Sequence, residues 1–154
     1  MPVKKTEAAA LLTEIVLLVF RLERDFLEAA DKISAPAGLT AARWKVLGAV
    51  LDDARTVADI GRIMGLARQS VQRLADVLVS EGLAAYRENP AHQSARLLTP
   101  SKAGRAAIGR LRERQATWAN AVSKDLTTQR LGECKQTIAA LIARVEDKDL
   151  WVPP

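Results

Sequence analysis

The stretch GLARQSVQRL, residues 65–74, carries polar side chains of the types that recognise DNA bases: Arg68, Gln69, Gln72 and Arg73. An arginine can donate two hydrogen bonds to guanine, and a glutamine can pair bidentately with adenine in the major groove. Ser70 and the backbone N–H groups of a helix's first turn can bond a phosphate. If one helix face presents these residues, the stretch is a candidate for recognising DNA bases. The alternative is that they form the ordinary solvated face of an amphipathic helix.

A helix-turn-helix would place this polar row on an outer face. Two short helices are predicted, over about residues 58–64 and 67–80. Gly61 is small where the second helix must approach closely. Gly65 lies in the turn between the two helices, where the chain reverses, and a residue without a Cβ adopts a positive φ most easily. The apolar residues of the two helices are predicted to face each other: Ile60, Met64, Leu66, Val71 and Leu74.

Positive charge is concentrated in the same part of the chain. The 154 residues carry a formal net charge of +5, and residues 55–114 contain eleven Lys or Arg against five Asp or Glu. The other residues contain twelve against thirteen. Clustered positive charge attracts polyanions such as nucleic acids. The sequence therefore favours a polyanion-binding unit in residues 55–114, flanked by nearly neutral segments. The chain length fits one domain of ordinary size.

Longer helices are predicted on both sides of this basic centre. Residues 7–33 are apolar nearly all round, so this helix must be buried on two sides, one of them covered by a partner chain. Thr40 can cap a second helix, whose inward residues are Trp44, Leu47, Val50 and Leu51. The last two helices are predicted to end near residue 124 and to span about residues 128–146, with Cys134 packed in the core.

Two short strands are predicted between the basic motif and the last two helices. LAAYR and ARLLT alternate in part and are joined by the turn-rich ENPAHQS. Thr99 and Pro100 are predicted to start the next helix, as its cap and its first residue. The fold class is therefore mainly α with a small two-stranded β-wing.

The segments LTAARWKVL, RQSVQRL, SEGL and LTPSKAG, with an asparagine–proline turn before the last, carry a family resemblance. In their order the chain resembles the MarR family of winged helix-turn-helix transcriptional regulators. The resemblance implies a single domain, 1–154, with a DNA-binding lobe over residues 39–104 and dimerisation helices over 1–38 and 105–154. It also implies a homodimer that binds a pseudopalindrome in double-stranded DNA. Such proteins usually repress transcription, and many release DNA when a small, often aromatic or phenolic, ligand binds.

The wing departs from the pattern of that family. His92 and Ser94 stand where the family commonly has an aspartate and an arginine near the tip, so the usual minor-groove arginine is missing. Arg87 and Arg96, at the stems of the hairpin, can still meet phosphates, and so can His92 when it is protonated. Ala67 stands where a capping serine is frequent, at a cost of about 1 kcal/mol.

The resemblance also implies a small-molecule site between the dimerisation and DNA-binding parts. Its candidate residues are Trp44, Phe26 and Leu111, with Trp44 preferred because the second helix borders the family's usual pocket. The alternative is that these residues are plain core. Trp151, near the C-terminus, either docks on the partner subunit or is exposed.

Other classes of function have little support in the sequence. One cysteine and one histidine cannot build a zinc site, and there is no glycine-rich phosphate loop, so no metal, cofactor or catalytic residue is predicted. No uninterrupted apolar run exceeds six residues, so no membrane span is predicted, and a cytoplasmic location is expected. The alternative function is a winged-helix module for protein interaction, with a solvated basic face and no specific operator.

Overall fold

A computed structural model describes residues 4–147 and residue 150. The chain divides into two compact units, Met1–Arg114 and Gln115–Pro154. The described residues form six α-helices: α1 (Glu7–Ser34), α2 (Ala41–Gly48), α3 (Val57–Met64), α4 (Arg68–Ser80), α5 (Lys102–Ser123) and α6 (Thr128–Val145). They also form three short strands: β1 (Arg55–Thr56), β2 (Ala84–Arg87) and β3 (Leu97–Pro100). The predicted fold class, mainly α with a small β-wing, is confirmed.

Threonine side chains start four of these helices. Thr6, Thr40, Thr56 and Thr127 each accept a hydrogen bond from the backbone N–H three residues further on. Each bond satisfies one of the donors that the first turn of a helix leaves unpaired. The predicted cap at Thr40 is confirmed. The hydroxyl of Thr56 also donates to the carboxylate of Asp59, and this bond lowers the pKa of Asp59.

The sheet has three antiparallel strands, one more than predicted. Its order is β1–β3–β2. Leu98, in the central strand β3, lies opposite Arg55 on one side and Tyr86 on the other. Because β1 has only two residues, it is too short to show an alternating pattern in the sequence. Strand β3 therefore has partners along both edges, and the side chain of Leu98 is completely buried.

The predicted start of α5 at Thr99 and Pro100 is wrong. Both residues belong to β3 and pair with β2. A proline is tolerated there, at the end of a strand, because it removes only one backbone donor. Ser101 takes the capping role instead: its hydroxyl accepts from the N–H of Gly104 at 3.0 Å and donates to the carbonyl of Gly82 at 2.6 Å.

The core of the first unit surrounds α4 and the wing. Fully buried apolar side chains come from α2, α3, α4 and β3: Val46, Leu47, Ile60, Val71, Leu78 and Leu98. The first half of α5 adds Ala107, Ile108 and Leu111. Arg43 donates to both carboxylate oxygens of Glu81 at 2.6 Å and so ties α2 to the end of α4. These contacts hold α4 firmly on its scaffold.

Helix α1 carries large apolar side chains that are exposed in the described chain. Leu17, Leu18 and Phe20 are 62%, 61% and 64% exposed. The sequence predicted that this helix is buried on two sides. Within one chain, however, the middle turns of α1 are exposed on both sides.

The second unit also presents apolar side chains to solvent. On α6, large side chains are exposed at four positions: Leu131, Ile138, Ile142 and Val145. The predicted burial of Cys134 is wrong for the single chain, because this thiol is exposed on the same helix. Val122, in the second half of α5, is likewise exposed. The spacing of apolar residues predicted these helices correctly, but the apolar side chains of α6 and of the second half of α5 remain exposed within the described chain.

Candidate nucleic-acid interface

The turn between α3 and α4 depends on two glycines. A Cβ on Gly61 would lie 2.8 Å from the carbonyl oxygen of Leu66, closer than real Cβ atoms approach. Gly65 ends α3 with φ at 64°, in the left-handed region that favours glycine. Both roles predicted for these glycines are confirmed. The short turn brings α4 across α3 in a helix-turn-helix.

Helix α4 separates its apolar and polar residues onto two faces. Val71, Ala75 and Leu78 are buried, while Leu66 and Leu74 are half-buried. The predicted base-reading residues are all exposed, at the first two turns of the helix: Arg68, Gln69, Gln72 and Arg73. Ser70, the predicted phosphate ligand, is half-buried. The structure therefore brings the polar row together on one accessible surface.

The start of α4 has no side-chain cap. Ala67 occupies the capping position with φ −63° and ψ 139°, and no side chain accepts a hydrogen bond there. The first backbone N–H groups of a helix carry a partial positive charge. Next to the exposed arginines, they add to a surface that attracts anions such as phosphate groups.

A hydrogen-bonded cluster joins α4 to the wing. The Nε2 atom of Gln72 donates to Oδ1 of Asp76 at 2.9 Å and to the hydroxyl oxygen of Tyr86 at 2.8 Å. That hydroxyl donates to the same Oδ1 of Asp76 at 2.7 Å. Burial, and next the bond to Asp76, raise the pKa of Tyr86 to about 12. The guanidinium of Arg96 stacks over the ring of Tyr86, 4.9 Å from its centre.

Sequence reasoning missed Asp76 and Tyr86. The pairing of Gln72 with Asp76 has a sequence signal, because residues four apart lie on the same face of a helix. Tyr86 is the chain's one tyrosine, but its contact with α4 spans a helix-to-strand connection that no local spacing reveals. The cluster also lines a cavity of about 270 Å³ between α4 and the wing, together with Arg68 and Ser94.

The wing tip is ordered by Asn89. Its Nδ2 donates to the carbonyl of Ala95 at 2.9 Å, and its Oδ1 accepts from the N–H of Ala91 at 3.0 Å. The predicted phosphate ligands of the wing are exposed: Arg87, His92 and Arg96. Of these, Arg96 is the one that the structure ties to α4, through Tyr86.

The candidate ligand-binding residues have three different environments. Trp44 is half-buried on α2, Leu111 is fully buried on α5, and Phe26 is 45% exposed on α1. None of them lines either of the two cavities found beside the helix-turn-helix. Trp151, predicted to dock on the partner subunit or to be exposed, lies outside the described residues.

In the described part of the chain, no group of three or more His, Cys, Asp or Glu side chains could hold a metal ion. No helix within residues 4–147 is long and apolar enough to cross a membrane.

Known proteins resemble this chain in sequence and in fold. The family model described as MarR family matches residues 37–93. An uncharacterized protein of Mycobacterium tuberculosis, Rv2011c, is 31% identical over 135 residues, which are 88% of this chain and 94% of that protein. Two solved structures share the fold: a mutant MarR from E. coli complexed with operator DNA, and CouR from Rhodococcus jostii bound to p-coumaroyl-CoA.

The structural match extends over most of each chain. The E. coli protein has a TM-score of 0.74 and 17% identity, over 84% of this chain and 94% of that one. CouR has a TM-score of 0.75 and 20% identity, over 82% and 90%. The matched sequence includes both helices of the helix-turn-helix and the first strand of the hairpin. This chain belongs to the MarR family and has the winged-helix fold of its transcription regulators.

Proposed function

We propose that the protein is a sequence-specific DNA-binding transcription regulator. The observation that carries the proposal is the exposed row on α4: Arg68, Gln69, Gln72 and Arg73. These side chains project from a helix that a buried core holds in place, which is how a recognition helix is offered to the major groove. Residues 39–104 form the DNA-binding lobe, and Arg87, His92 and Arg96 of the wing contact the backbone.

The regulator works as a homodimer. Exposed apolar side chains such as Leu17, Leu18 and Phe20 on α1 form a patch of the kind that marks a protein interface. Residues 1–38 and 105–154 supply the dimer contacts. A two-fold dimer presents two α4 helices about 34 Å apart, one turn of the duplex, so its operator is a pseudopalindrome.

In the cytoplasm the dimer represses transcription and leaves its operator when a small ligand binds. The ligand is aromatic or phenolic, and Trp44, Phe26 and Leu111 contact it. The complex of CouR with p-coumaroyl-CoA supports a ligand of this chemistry. A coupling of about 1–3 kcal/mol between the two sites, usual for such linkage, lowers operator affinity about 5- to 150-fold.

The test is selection of bound sequences from a random DNA pool, followed by salt titration of the selected and a scrambled site. A specific regulator prefers its operator by about 10³ or more, with a salt slope that reports several phosphates. Arg73→Ala is expected to weaken operator binding. Arg130→Ala, which removes the same charge from an exposed site on α6, is expected to change it little when both variants are compared at a protein concentration where sedimentation shows them to be dimeric.

Equal and weak binding to both DNAs would exclude a regulator with a specific operator. That result would favour the second candidate, a winged-helix module for protein interaction.

A further inference from the structure

The side-chain amide of Gln72 is held in one orientation. Its nitrogen, Nε2, faces both Asp76 and Tyr86, at 2.9 Å and 2.8 Å. The amide oxygen, Oε1, lies at the other end of the same planar group. No hydrogen bond within the described part of the chain occupies Oε1.

Donor and acceptor chemistry explains why the amide cannot turn round. A carboxylate only accepts hydrogen bonds, so Asp76 requires N–H rather than C=O from its neighbour. The single hydroxyl hydrogen of Tyr86 is directed at Asp76, at 2.7 Å. The hydroxyl oxygen can therefore accept from Gln72 but has no hydrogen left to donate to Oε1. A reversed amide would place Oε1 against the carboxylate, where two acceptors repel each other.

The wing keeps this arrangement in place. Tyr86 is half-buried in β2, and Arg96 of the hairpin covers its ring. Its phenol keeps its proton at neutral pH, as a tyrosine ordinarily does, and burial and the bond to Asp76 raise its pKa further, to about 12. The orientation of a side chain on α4 is thus set by residues of the wing as well as by its own helix.

We propose that Gln72 offers Oε1 to the major groove and selects a base whose exocyclic amino group lies on the major-groove edge, adenine or cytosine, over guanine or thymine. Adenine N6 and cytosine N4 are donors there, whereas guanine O6 and thymine O4 are acceptors. A freely rotating glutamine can satisfy either kind of base edge. Asp76 and Tyr86 are positioning residues that limit Gln72 to one kind. This inference rests on the proposed function and adds the specificity of one position in each half-site.

The experiment measures the affinity of the dimer for the selected operator with each of the four bases at every half-site position. Gln72→Ala identifies the position that Gln72 contacts, because discrimination there is lost. In the wild-type protein adenine and cytosine are expected to be preferred at that position by about tenfold, the worth of one good hydrogen bond.

Two conservative variants test the positioning. Asp76→Asn can donate to Oε1 as well as accept from Nε2, so the amide is free to reverse and discrimination is expected to fall to about twofold or less. Tyr86→Phe removes one of the two acceptors and is expected to reduce it in part. Glu88→Gln is the control, because it removes the same charge from an exposed residue of the wing and should leave base preference unchanged. Circular dichroism checks that each variant is folded.

Three outcomes would overturn the inference while the proposed function stands. The first is that Gln72→Ala has no effect on base preference at any position. The second is that the contacted position prefers guanine or thymine. The third is that Asp76→Asn and Tyr86→Phe both retain full discrimination. If the wild-type protein shows no operator preference at all, the proposed function fails and this inference fails with it.

Discussion

The lobe around the helix-turn-helix and the long helix α1 differ in how far their apolar side chains are buried. Leu47, Ile60 and Leu98 in the lobe are fully buried, whereas Leu18 and Phe20 on α1 are more than 60% exposed. The lobe completes its core within one chain. The exposed side chains of α1 would each gain about 1–2 kcal/mol if a second surface buried what remains exposed. Packing within one chain therefore stabilises the lobe, whereas burial of the apolar face of α1 depends on association with a second surface.

The largest effect is expected from Gly104→Ala, which attacks the packing of the lobe. A Cβ on Gly104 would lie 2.0 Å from the carbonyl oxygen of Leu83. Ser101 fixes this approach, since its backbone N–H donates to that carbonyl at 3.0 Å while its side chain bonds Gly82. The helix and the loop cannot both stay in place, so we expect a loss of about 3 kcal/mol or more in the free energy of unfolding, measured with urea.

Gly109→Ala is the matched control on the same helix. Nothing lies within 4 Å of a Cβ at Gly109. We expect this substitution to stabilise the protein by about 0.5–1 kcal/mol, because alanine is the better helix former. Equal effects of the two substitutions would show that α5 is not packed closely on the loop before β2.

A smaller effect on folding but a large one on association is expected from Leu18→Glu. The charge is placed on the exposed apolar face of α1, where it must be desolvated if a second copy covers it. Sedimentation velocity should show a shift from dimer to monomer. The circular dichroism spectrum of the protein should stay close to that of the wild type, which shows that the chain is still folded. Operator affinity should fall by about tenfold or more, because one half-site is no longer linked to the other.

Ile63→Glu is the control for this association experiment. Ile63 is also exposed, 52%, but it lies on α3 of the lobe. It should leave the protein dimeric. A dimer that survives Leu18→Glu would contradict the assignment of α1 to the interface.

Local sequence signals predicted most of the lobe. Thr40 and Gly65 act within one turn of the chain, so a cap and a helix end could be assigned from residue type and spacing alone. The exposed row of α4 followed from the apolar positions of the same helix. Long-range pairing accounts for what was missed. Pairing with β2 draws Thr99 and Pro100 into β3, and the two residues of β1 form a strand only because β3 lies beside them.

The same limit applies to the candidate site. The sequence indicated that Gln72 is exposed and could read a base, but the orientation of its amide depends on Tyr86, fourteen residues away. The burial predicted for Cys134 failed for a related reason. Helical periodicity identifies an apolar face, but it does not say whether the same chain or another one covers it.

The smallest effect is expected from Ala67→Ser, which strengthens the lobe without touching its core. Ala67 already has the extended backbone of a capping residue, and the N–H groups of the first turn of α4 have no side-chain partner. A serine hydroxyl can accept one of those hydrogen bonds, so we expect the free energy of unfolding to rise by about 0.5–1 kcal/mol. Ala58→Ser, also exposed but inside the first turn of α3, should give no gain. Both are compared by urea unfolding at one protein concentration. The oligomeric state should stay unchanged in both, since neither residue lies on α1 or α6, and a change in association with Ala67→Ser would show that the lobe and the dimer contacts are not energetically separate.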